Sequence, residues 1–484
     1  MFLYITIMKY VLRDYQVNDV QRLRAAFLQG FRAPLYVLPT GGGKTIVFCN
    51  IIENAAAKGR RVMVLVHRKE LLDQCSEKLY DIGVPHGLIR AGRIMTNEPI
   101  QVASVDTLIR RLHMAQAPDL IIFDEAHHCI QGNKWGSVAA HFEKSFILGV
   151  TATPIRTNGD GLGRNYKGYF DTIINGPSIR QLIDQGWLSQ PIIYAPPVGM
   201  DLSGVRVRAG DYMAADLEDR LDKAKITGDT VQHYKNICPG VPALAFCVSV
   251  KHAENVAQAF NAAGVPAASI DGTLSNHQRE HRINALASGQ IKVLTSCEIV
   301  SEGTDIPVVT AAILLRPTKS MGLFLQQSGR VLRIHPGKKN SFILDHVNNT
   351  LRHGLVDEVR TWTLAPTKAD IDRREMDSDI ERVRQCRQCF AVYPLYRSAC
   401  PQCGAIWIPE ERKIEQQAGQ LKEITPEEAA ILAEQRRKRQ EVGRAKGLED
   451  LKRLAQIRKY KPGWADHIWA ARQKKKLQLA DRFY

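Results

Sequence analysis

Nowhere in the sequence does an apolar run approach the length of a membrane-spanning helix, so it offers no candidate transmembrane segment. The N-terminal stretch MFLYITIMKY is apolar but short. It lacks a basic leading region and a small-residue cleavage site, which makes it a poor signal peptide. Two readings of it stay open: a β-strand, or an upstream extension if Met8 is the true start. Acids are fewer than bases, 50 Asp and Glu against 66 Lys and Arg, leaving a formal net charge of +16. That excess favours a polyanionic partner. Outside the stretches described below, no cluster of acids with a lysine has the pattern of a nuclease centre. Ten cysteines without an export signal point to reduced thiols in a cytoplasm. Six are scattered (Cys49, Cys75, Cys129, Cys238, Cys247 and Cys297) and read mainly as small buried apolar residues. A hydrophobic content of 44% over 484 residues allows sizeable cores and about three domains.

What is there is organised around Leu35–Thr45, LYVLPTGGGKT. A short apolar strand runs through Pro39 and Thr40 into three glycines, Gly41, Gly42 and Gly43, and ends in Lys-Thr. Successive glycines let the backbone curl so that several N–H groups point inward as a nest for phosphate oxygens. Lys44 then reaches the β- and γ-phosphates, and Thr45 offers its hydroxyl to Mg²⁺. A helix starting near Thr45 adds its positive end. The general P-loop pattern has glycine where this chain has Leu38, so the generic match fails at one position. Upstream, Leu12-Arg13-Asp14-Tyr15-Gln16 opens an amphipathic stretch over Val17–Phe27. A glutamine can grip adenine through N6 and N7, the geometry used on base edges in DNA, which makes Gln16 the candidate adenine reader.

Strands and helices then alternate. Arg61–Val66 reads as a strand, Lys69–Tyr80 as a helix, Ile100–Ser104 as a strand followed by Thr107–Leu112, and Leu120–Phe123 and Phe146–Val150 as further strands. Continuous apolar runs of this kind suit buried parallel sheets. Leu120–Phe123 ends in Asp124-Glu125-Ala126-His127. Carboxylates at the carboxyl end of a parallel strand face the crevice where ligands bind. Asp124 is placed to hold Mg²⁺ through water and Glu125 to orient or deprotonate the attacking water.

The stretch 155–229 is less informative: a Gly- and Asn-rich loop, a helical Ser178–Gly186, an extended Gln190–Pro197 and a charged Gly204–Lys225. The rhythm resumes with strands at Ala243–Val248, Ala268–Asp271, Lys292–Ser296, Ala311–Leu315 and Ser341–Asp345, and helices at Lys251–Ala263, Asn276–Ser288 and Leu323–Leu332. Arg330 and Arg333 fall three apart, on one face of that last helix. Guanidinium stays charged and forks onto phosphate oxygens, so the pair suits a triphosphate presented by a facing domain.

The motifs LRDYQ, PTGGGKT, VHRKELLDQ, SVDTL, DEAH and TATP, in this order, resemble the first motor domain of superfamily 2 helicases. QQSGRVLR and Thr295–Pro307, TSCEIVSEGTDIP, resemble motifs of the second. The resemblance covers roughly Leu12–Asp345. It implies two tandem RecA-like α/β domains closing on ATP and Mg²⁺, with Gln16 on adenine, Lys44 and Thr45 on phosphate and metal, and Asp124 and Glu125 in hydrolysis. Gly303 and Asp305 are implied near the nucleotide. His127, Thr151 and Thr153 are implied in coupling the nucleotide state to the strand-binding face. His67, Arg68, Lys69, Ser104, Thr107, Gly272, Thr273, Thr295 and Ser301 are implied along the nucleic-acid backbone. The stretch LLRPTKSMGLFLQQSGRVLRIHPGKK is more narrowly similar to the RadD-type bacterial DNA-repair helicases and to prophage enzymes like them. The implied function is an ATP-dependent DNA helicase or translocase on single-stranded or branched DNA; the motifs leave open RNA, or an ATP-gated clamp.

Cys386, Cys389, Cys400 and Cys403 form two CxxC pairs ten residues apart. Four thiolates in two pairs suit a closed tetrahedral Zn²⁺ site. The competing readings are a redox pair, which lacks its βαβ context, and an iron–sulfur cluster. From Gly404 onward the chain has 19 Lys and Arg against 12 Asp and Glu, a net +7. Helices are expected over Glu427–Arg444, over Gly447–Tyr460 with Leu448, Leu451, Leu454 and Ile457 every three residues, and around Trp464, Ile468 and Trp469. This basic tail either binds DNA or packs its apolar stripe on another helix; zinc module and tail are also the candidate docking points for a protein partner. The domains expected are 1–154 and 230–365 as motors, 155–229 as connector, 366–409 as zinc module and 410–484 as tail.

Overall fold

The apolar runs fold as strands buried on both faces. The structure is a computed structural model that describes residues 11–156, 159–195, 205–208, 211–214, 216–217, 224–297, 306–366, 383–407, 441–442, 447–458 and 460–470. Ser301, Gly303 and Asp305, the first ten residues and most of Glu427–Arg444 lie outside the described residues. The chain divides into two compact units, Met1–Ile408 and Pro409–Tyr484.

In the first unit, β1 (Pro34–Val37), β2 (Val62–Val66), β3 (Gly87–Ile89), β4 (Ile100–Ser104), β5 (Leu120–Asp124), β6 (Phe146–Thr151) and β7 (Thr172–Asn175) form one sheet. Its spatial order is β3-β4-β2-β5-β6-β1-β7, parallel throughout. Alternate residues serve opposite cores. Val62, Val64 and Val66 pack on one face with Phe48 and Leu72, and Met63 and Leu65 pack on the other with Phe123 and Trp135. Period-2 alternation with both faces covered explains why the runs are apolar without a polar partner residue. β3 and β7, three and four residues long, were not legible as strands.

A second sheet contains β8 (Gln190–Tyr194), then, after the small hairpin of β9 (Val207–Arg208) and β10 (Asp211–Tyr212), β11 (Ala243–Phe246), β12 (Ala267–Ile270), β13 (Val293–Ser296), β14 (Ala311–Leu314) and β15 (Asn340–Asp345). The order is β12-β13-β11-β14-β15-β8, again parallel. The stretch 155–229, read as a connector, thus contributes β7 to one sheet and β8 to the other. The hairpin docks on the second lobe, where Asp211 accepts from the Thr318 hydroxyl at 2.8 Å and the Lys319 N–H at 2.7 Å.

One expected helix differs. The spacing over Leu323–Leu332 predicts a continuous helix, with both arginines on a shared face. The helix instead spans Met321–Gly329, Arg330–Leu332 forms a tighter 3₁₀ turn, and Arg333 is extended at φ −60°, ψ 139°. Its backbone bridges Leu188, a non-local pairing that local periodicity cannot report.

β16 (Val383–Gln385) and β17 (Val392–Pro394) form the hairpin of the cysteine module. Ala391 bridges Tyr194, and the Gln385 amide donates to the Ala195 carbonyl. The module therefore lies along β8, an edge strand that would otherwise expose unpaired backbone groups.

In the second unit the helix Leu448–Arg458 buries Leu451, while Ile457 is 72% exposed. The expected stripe therefore does not hold. Three-residue steps fall short of the 3.6-residue turn by 60° each, so Ile457 ends half a turn away from Leu448. Arg458 closes onto Glu441 through two hydrogen bonds of 2.8 and 2.7 Å. Among the described residues, no helix is long and apolar enough to cross a membrane.

Candidate functional site

Strand order assembles the site. β5, β6 and β1 are neighbours, so the residues that follow their carboxyl ends lie side by side at the roughly 4.8 Å strand spacing. Thr151 is level with Val37, and Asp124 with Val150. Residues 44, 124 and 151 are thereby gathered at one end of the first sheet.

The glycine loop owes its shape to two left-handed residues, Gly41 at φ 83° and Gly43 at φ 82°, a region that a Cβ disfavours. Gly42 is required for another reason. A Cβ there would stand 2.7 Å from Leu38 Cγ. Leu38, the one departure from the general pattern, is thus matched by a glycine that makes room for it. The helix Lys44–Ala56 starts immediately after. The Lys44 ammonium donates to the Leu38 carbonyl at 3.3 Å.

Tyr15 and Gln16 hold this loop from the outside. The Tyr15 hydroxyl donates to the Gly42 carbonyl at 2.6 Å and the Gln16 amide at 3.1 Å, while Gln16 Oε1 accepts from the Arg13 N–H at 3.0 Å. Gln16 is only 2% exposed. Gripping adenine with both amide atoms requires exchanging these bonds. Tyr15 was missed as a functional residue, its signal being only its place beside Gln16. Arg13 stacks at 4.2 Å over Trp187, a partner 174 positions away that no local pattern indicates.

Glu125 occupies a left-handed backbone at φ 51°. That costs a non-glycine residue about 1–2 kcal/mol and turns its carboxylate across the sheet end. Glu125 Oε2 lies 3.4 Å from both His127 Nδ1 and the Thr151 hydroxyl. Thr151 also pairs with His127 at 3.1 Å and with the Thr153 backbone at 3.2 Å. The residues expected to couple nucleotide state to the strand face are therefore one connected network. Burial first, and the Glu125 charge second, push the Asp124 carboxyl up to about 7. Burial lowers the Lys44 ammonium, against the opposing pull of Glu125 and Asp124.

The second lobe reaches the same place. Arg333 Cγ lies 3.3 Å from where a Gly41 Cβ would stand, and Thr40 Cβ lies 2.9 Å from where a Gly329 Cβ would stand. Both contacts bring the Arg330 turn against Pro39–Gly43. Arg330 and Arg333 each act electrostatically on Lys44. Lysine from one lobe and arginines from the other share one cleft.

The residues expected on nucleic acid divide. Lys69, Gly272 and Thr273 are exposed, with Arg68, Ser104 and Thr107 half-buried. Thr273 N–H bonds Asp271 at 2.7 Å, shaping its turn. Arg279, which donates to the Gly272 carbonyl, also pairs with Glu70 at 3.4 Å. This ion pair brings the Arg68–Lys69 end of one lobe to the Gly272–Thr273 turn of the other. One expectation is corrected. Thr295 is fully buried and donates to the Ala253 carbonyl at 2.7 Å, so it reaches no strand-binding surface. His67 is half-buried like Arg68, its ring 5.2 Å from His128 and 6.3 Å from Trp135.

The four cysteine sulfurs lie within 4.8 Å of one another, with Cys386–Cys403 at 3.5 Å and Cys389–Cys400 at 3.6 Å. Thiolates about 2.3 Å from a tetrahedral zinc stand roughly 3.8 Å apart, so the set fits such an ion. Burial pushes the Cys386 thiol up, but N–H groups of Cys389 and Gln388 outweigh it and hold the thiol at about 7. The two CxxC turns repeat one geometry: Phe390 and Gly404, each following the second cysteine, are both left-handed, at φ 61° and 75°.

Residues 9–156 match the family described as "Type III restriction enzyme, res subunit", and residues 229–335 match "Helicase conserved C-terminal domain". A "51.5 kDa protein" of a Lactococcus phage is 34% identical over 384 residues, covering 77% of this chain and 78% of its own. The "Putative ATP-dependent helicase IRC3" of Saccharomyces cerevisiae is 31% identical over 359 residues, covering 70% of this chain; the chain spans 51% of that longer protein. Among solved structures, "the fragment structure of a putative HsdR subunit of a type I restriction enzyme from Vibrio vulnificus YJ016" aligns with TM-score 0.56 and 22% identity, covering 72% of this chain and 67% of that one. This last likeness bears on the fold.

Proposed function

The chain belongs to the superfamily 2 helicases and is an ATP-hydrolysing, nucleic-acid-binding motor, and on that premise we propose that it unwinds or translocates along DNA. The observation that carries this reading is the contact between the lobes, which sets the Gly329–Arg333 turn against Thr40 and Gly41 of the glycine loop that leads into Lys44. Lys44 and the N–H groups of Gly41–Lys44 bind the β- and γ-phosphates. The Thr45 hydroxyl and the Asp124 carboxylate fit Mg²⁺, which when bound neutralises charge between these phosphates. Glu125 orients a water whose oxygen attacks the γ-phosphorus while the bond to the β,γ-bridging oxygen breaks, and Glu125 takes the water's proton. Arg330 and Arg333 neutralise charge on the transferring group, so hydrolysis requires the lobes to be closed. Gln16 reads adenine in the same reading.

Coupling runs from Glu125 through His127 and Thr151 to Thr153. A nucleic-acid track is favoured by the net charge of +16 and by exposed Lys69, Gly272 and Thr273 on adjoining edges of the two lobes, and single-stranded or branched DNA is the form proposed. The narrower likeness to RadD-type repair helicases rests on Leu314–Lys339. The test is steady-state ATPase with single-stranded DNA, duplex, forked DNA and RNA side by side, followed by strand displacement on the forked DNA. DNA is expected to stimulate turnover by tenfold or more, by analogy with gating by the correct substrate. Stimulation by RNA alone overturns the DNA assignment, and turnover indifferent to every nucleic acid makes the protein an ATP-gated clamp.

The cysteine cluster reads as a structural zinc site, because all four positions are thiols and none is left open for chemistry. One zinc per chain is expected by elemental analysis, released on thiol modification. Cys386→Ser is expected to unfold the module selectively, since metal binding supplies about 10–16 kcal/mol in comparable sites. Iron, or no metal, in the purified protein overturns the zinc reading.

A further inference from the structure

Behind the two arginines lies a lysine that the mechanism above does not use. Arg333 is followed by Ile334-His335-Pro336-Gly337-Lys338, with Gly337 at φ 83°. Proline followed by a left-handed glycine forms the centre of a type II turn, closed here by the Lys338 N–H on the His335 carbonyl at 3.0 Å. The turn sends the Lys338 side chain back under the residues it follows. Its ammonium donates to the carbonyls of Val331 at 2.5 Å, Arg333 at 2.8 Å and Val309 at 2.7 Å. The Leu332 carbonyl between them takes the Ser189 N–H at 2.7 Å and its hydroxyl at 3.1 Å. The carbonyls of Val331, Leu332 and Arg333 lie where the end of a helix leaves such groups without intrahelical donors, and the Val331 carbonyl also accepts from the Ser341 hydroxyl. An ammonium has three donors and no acceptor, and here each donor has a backbone carbonyl. Lys338 is half-buried, so holding its ammonium on these carbonyls gives up part of its hydration. The Val309 carbonyl, just before β14, ties the arginine turn to the second sheet, so the two move as one body when the lobes close.

We propose that Lys338 is a positioning residue for ATP hydrolysis, its three carbonyl bonds holding the turn that aims Arg330 and Arg333 at the terminal phosphate. The inference rests on the reading of the cross-lobe cleft as the ATP site. Lys338 touches no substrate and acts through the arginines. Burial first, and the Arg333 cation second, push its amine down to about 7. Arg333 is the charged group acting on it, and the other groups facing it are neutral carbonyls. Loss of its proton removes one of the three donors, so the turn loosens as pH rises through that range.

The experiment measures kcat, KM for ATP and melting temperature of the full chain with single-stranded DNA, for Lys338→Met and Lys338→Arg beside Arg330→Ala. A misplacement of about 1 Å costs about 10²-fold, so kcat is expected to fall about that much in Lys338→Met, with KM within about twofold. The wild-type kcat is expected to decline on the alkaline side of neutrality, and Lys338→Arg, whose guanidinium does not titrate, to lack that decline. A Lys338→Met enzyme with wild-type kcat, or one that loses affinity for ATP in step, overturns the proposal. Should Lys338→Met not fold, a wild-type kcat flat across neutral and alkaline pH overturns it instead. If Arg330→Ala collapses kcat and Lys338→Met does not, only the role of Lys338 fails. If Arg330→Ala is itself without effect, the ATP-site reading fails and the proposal goes with it.

Discussion

Replacing Glu125 by glutamine is expected to lower ATP turnover by about 10²–10⁴-fold, the contribution typical of a positioned general base, while leaving nucleotide binding and the fold intact. The side chain keeps its shape and loses its charge. Glu125 is held by a left-handed backbone, and its oxygen lies 3.4 Å from His127 and from Thr151. Its neighbours therefore fix where it points whichever group it carries. The substitution also removes a negative charge beside Asp124, whose carboxyl burial and Glu125 together hold at about 7. Asp124 should then ionise more readily, and Mg²⁺·ATP affinity should hold or improve. The measurements are single-turnover hydrolysis, equilibrium binding of a fluorescent nucleotide and thermal melting. Hydrolysis at the wild-type rate in purified Glu125→Gln would remove Glu125 from the reaction.

Arg330→Ala and Arg333→Ala are each expected to reduce kcat by about 10³-fold or more, as arginine fingers contribute 10³–10⁵-fold elsewhere. Each factor of ten is about 1.4 kcal/mol of transition-state stabilisation. Arg330 is 9% exposed, so alanine also leaves a hole; Arg330→Gln, closer in volume, separates lost charge from lost packing. Lysine is not expected to rescue either position, because an ammonium cannot fork onto two phosphate oxygens. Nucleic-acid binding without nucleotide is expected to stay within about twofold, since neither arginine is among the exposed residues of the strand-binding edges. Turnover within threefold of wild type in both variants would place the trigger elsewhere.

Much of this site was legible beforehand, for a physical reason. A phosphate nest needs glycines in a row, an Mg²⁺ site needs a carboxylate at a strand end, and a finger needs a guanidinium. Each demand restricts residue type over a few consecutive positions, so it leaves a short pattern. Hence Gly41–Thr45, Asp124-Glu125 and Arg330-Arg333 were found as words in the chain. The strands that carry them were found because burial on both faces demands unbroken apolar runs. β3 and β7 escaped because three or four residues at a sheet edge carry too little pattern. Tyr15, Ser189 and Lys338 escaped because their partners are backbone carbonyls, which every residue type carries, and Trp187 because its partner Arg13 is distant in sequence; such contacts do not constrain composition locally. Thr295 was misplaced because a motif names a residue without saying which face of the strand end it turns to.

The amino-acid order alone therefore determined which chemical groups are present, the alternation that yields two parallel sheets, and the paired thiols of the cysteine module. Only the tertiary structure decided that β5, β6 and β1 stand side by side, that the Arg330 turn meets Thr40 and Gly41, and that Lys338 lies beneath it. Short-range backbone and burial preferences act between neighbours in the chain and can be read there. Strand order, lobe contact and side-chain direction are set by packing between segments far apart, where many sequences satisfy the same surface and no local pattern records the choice.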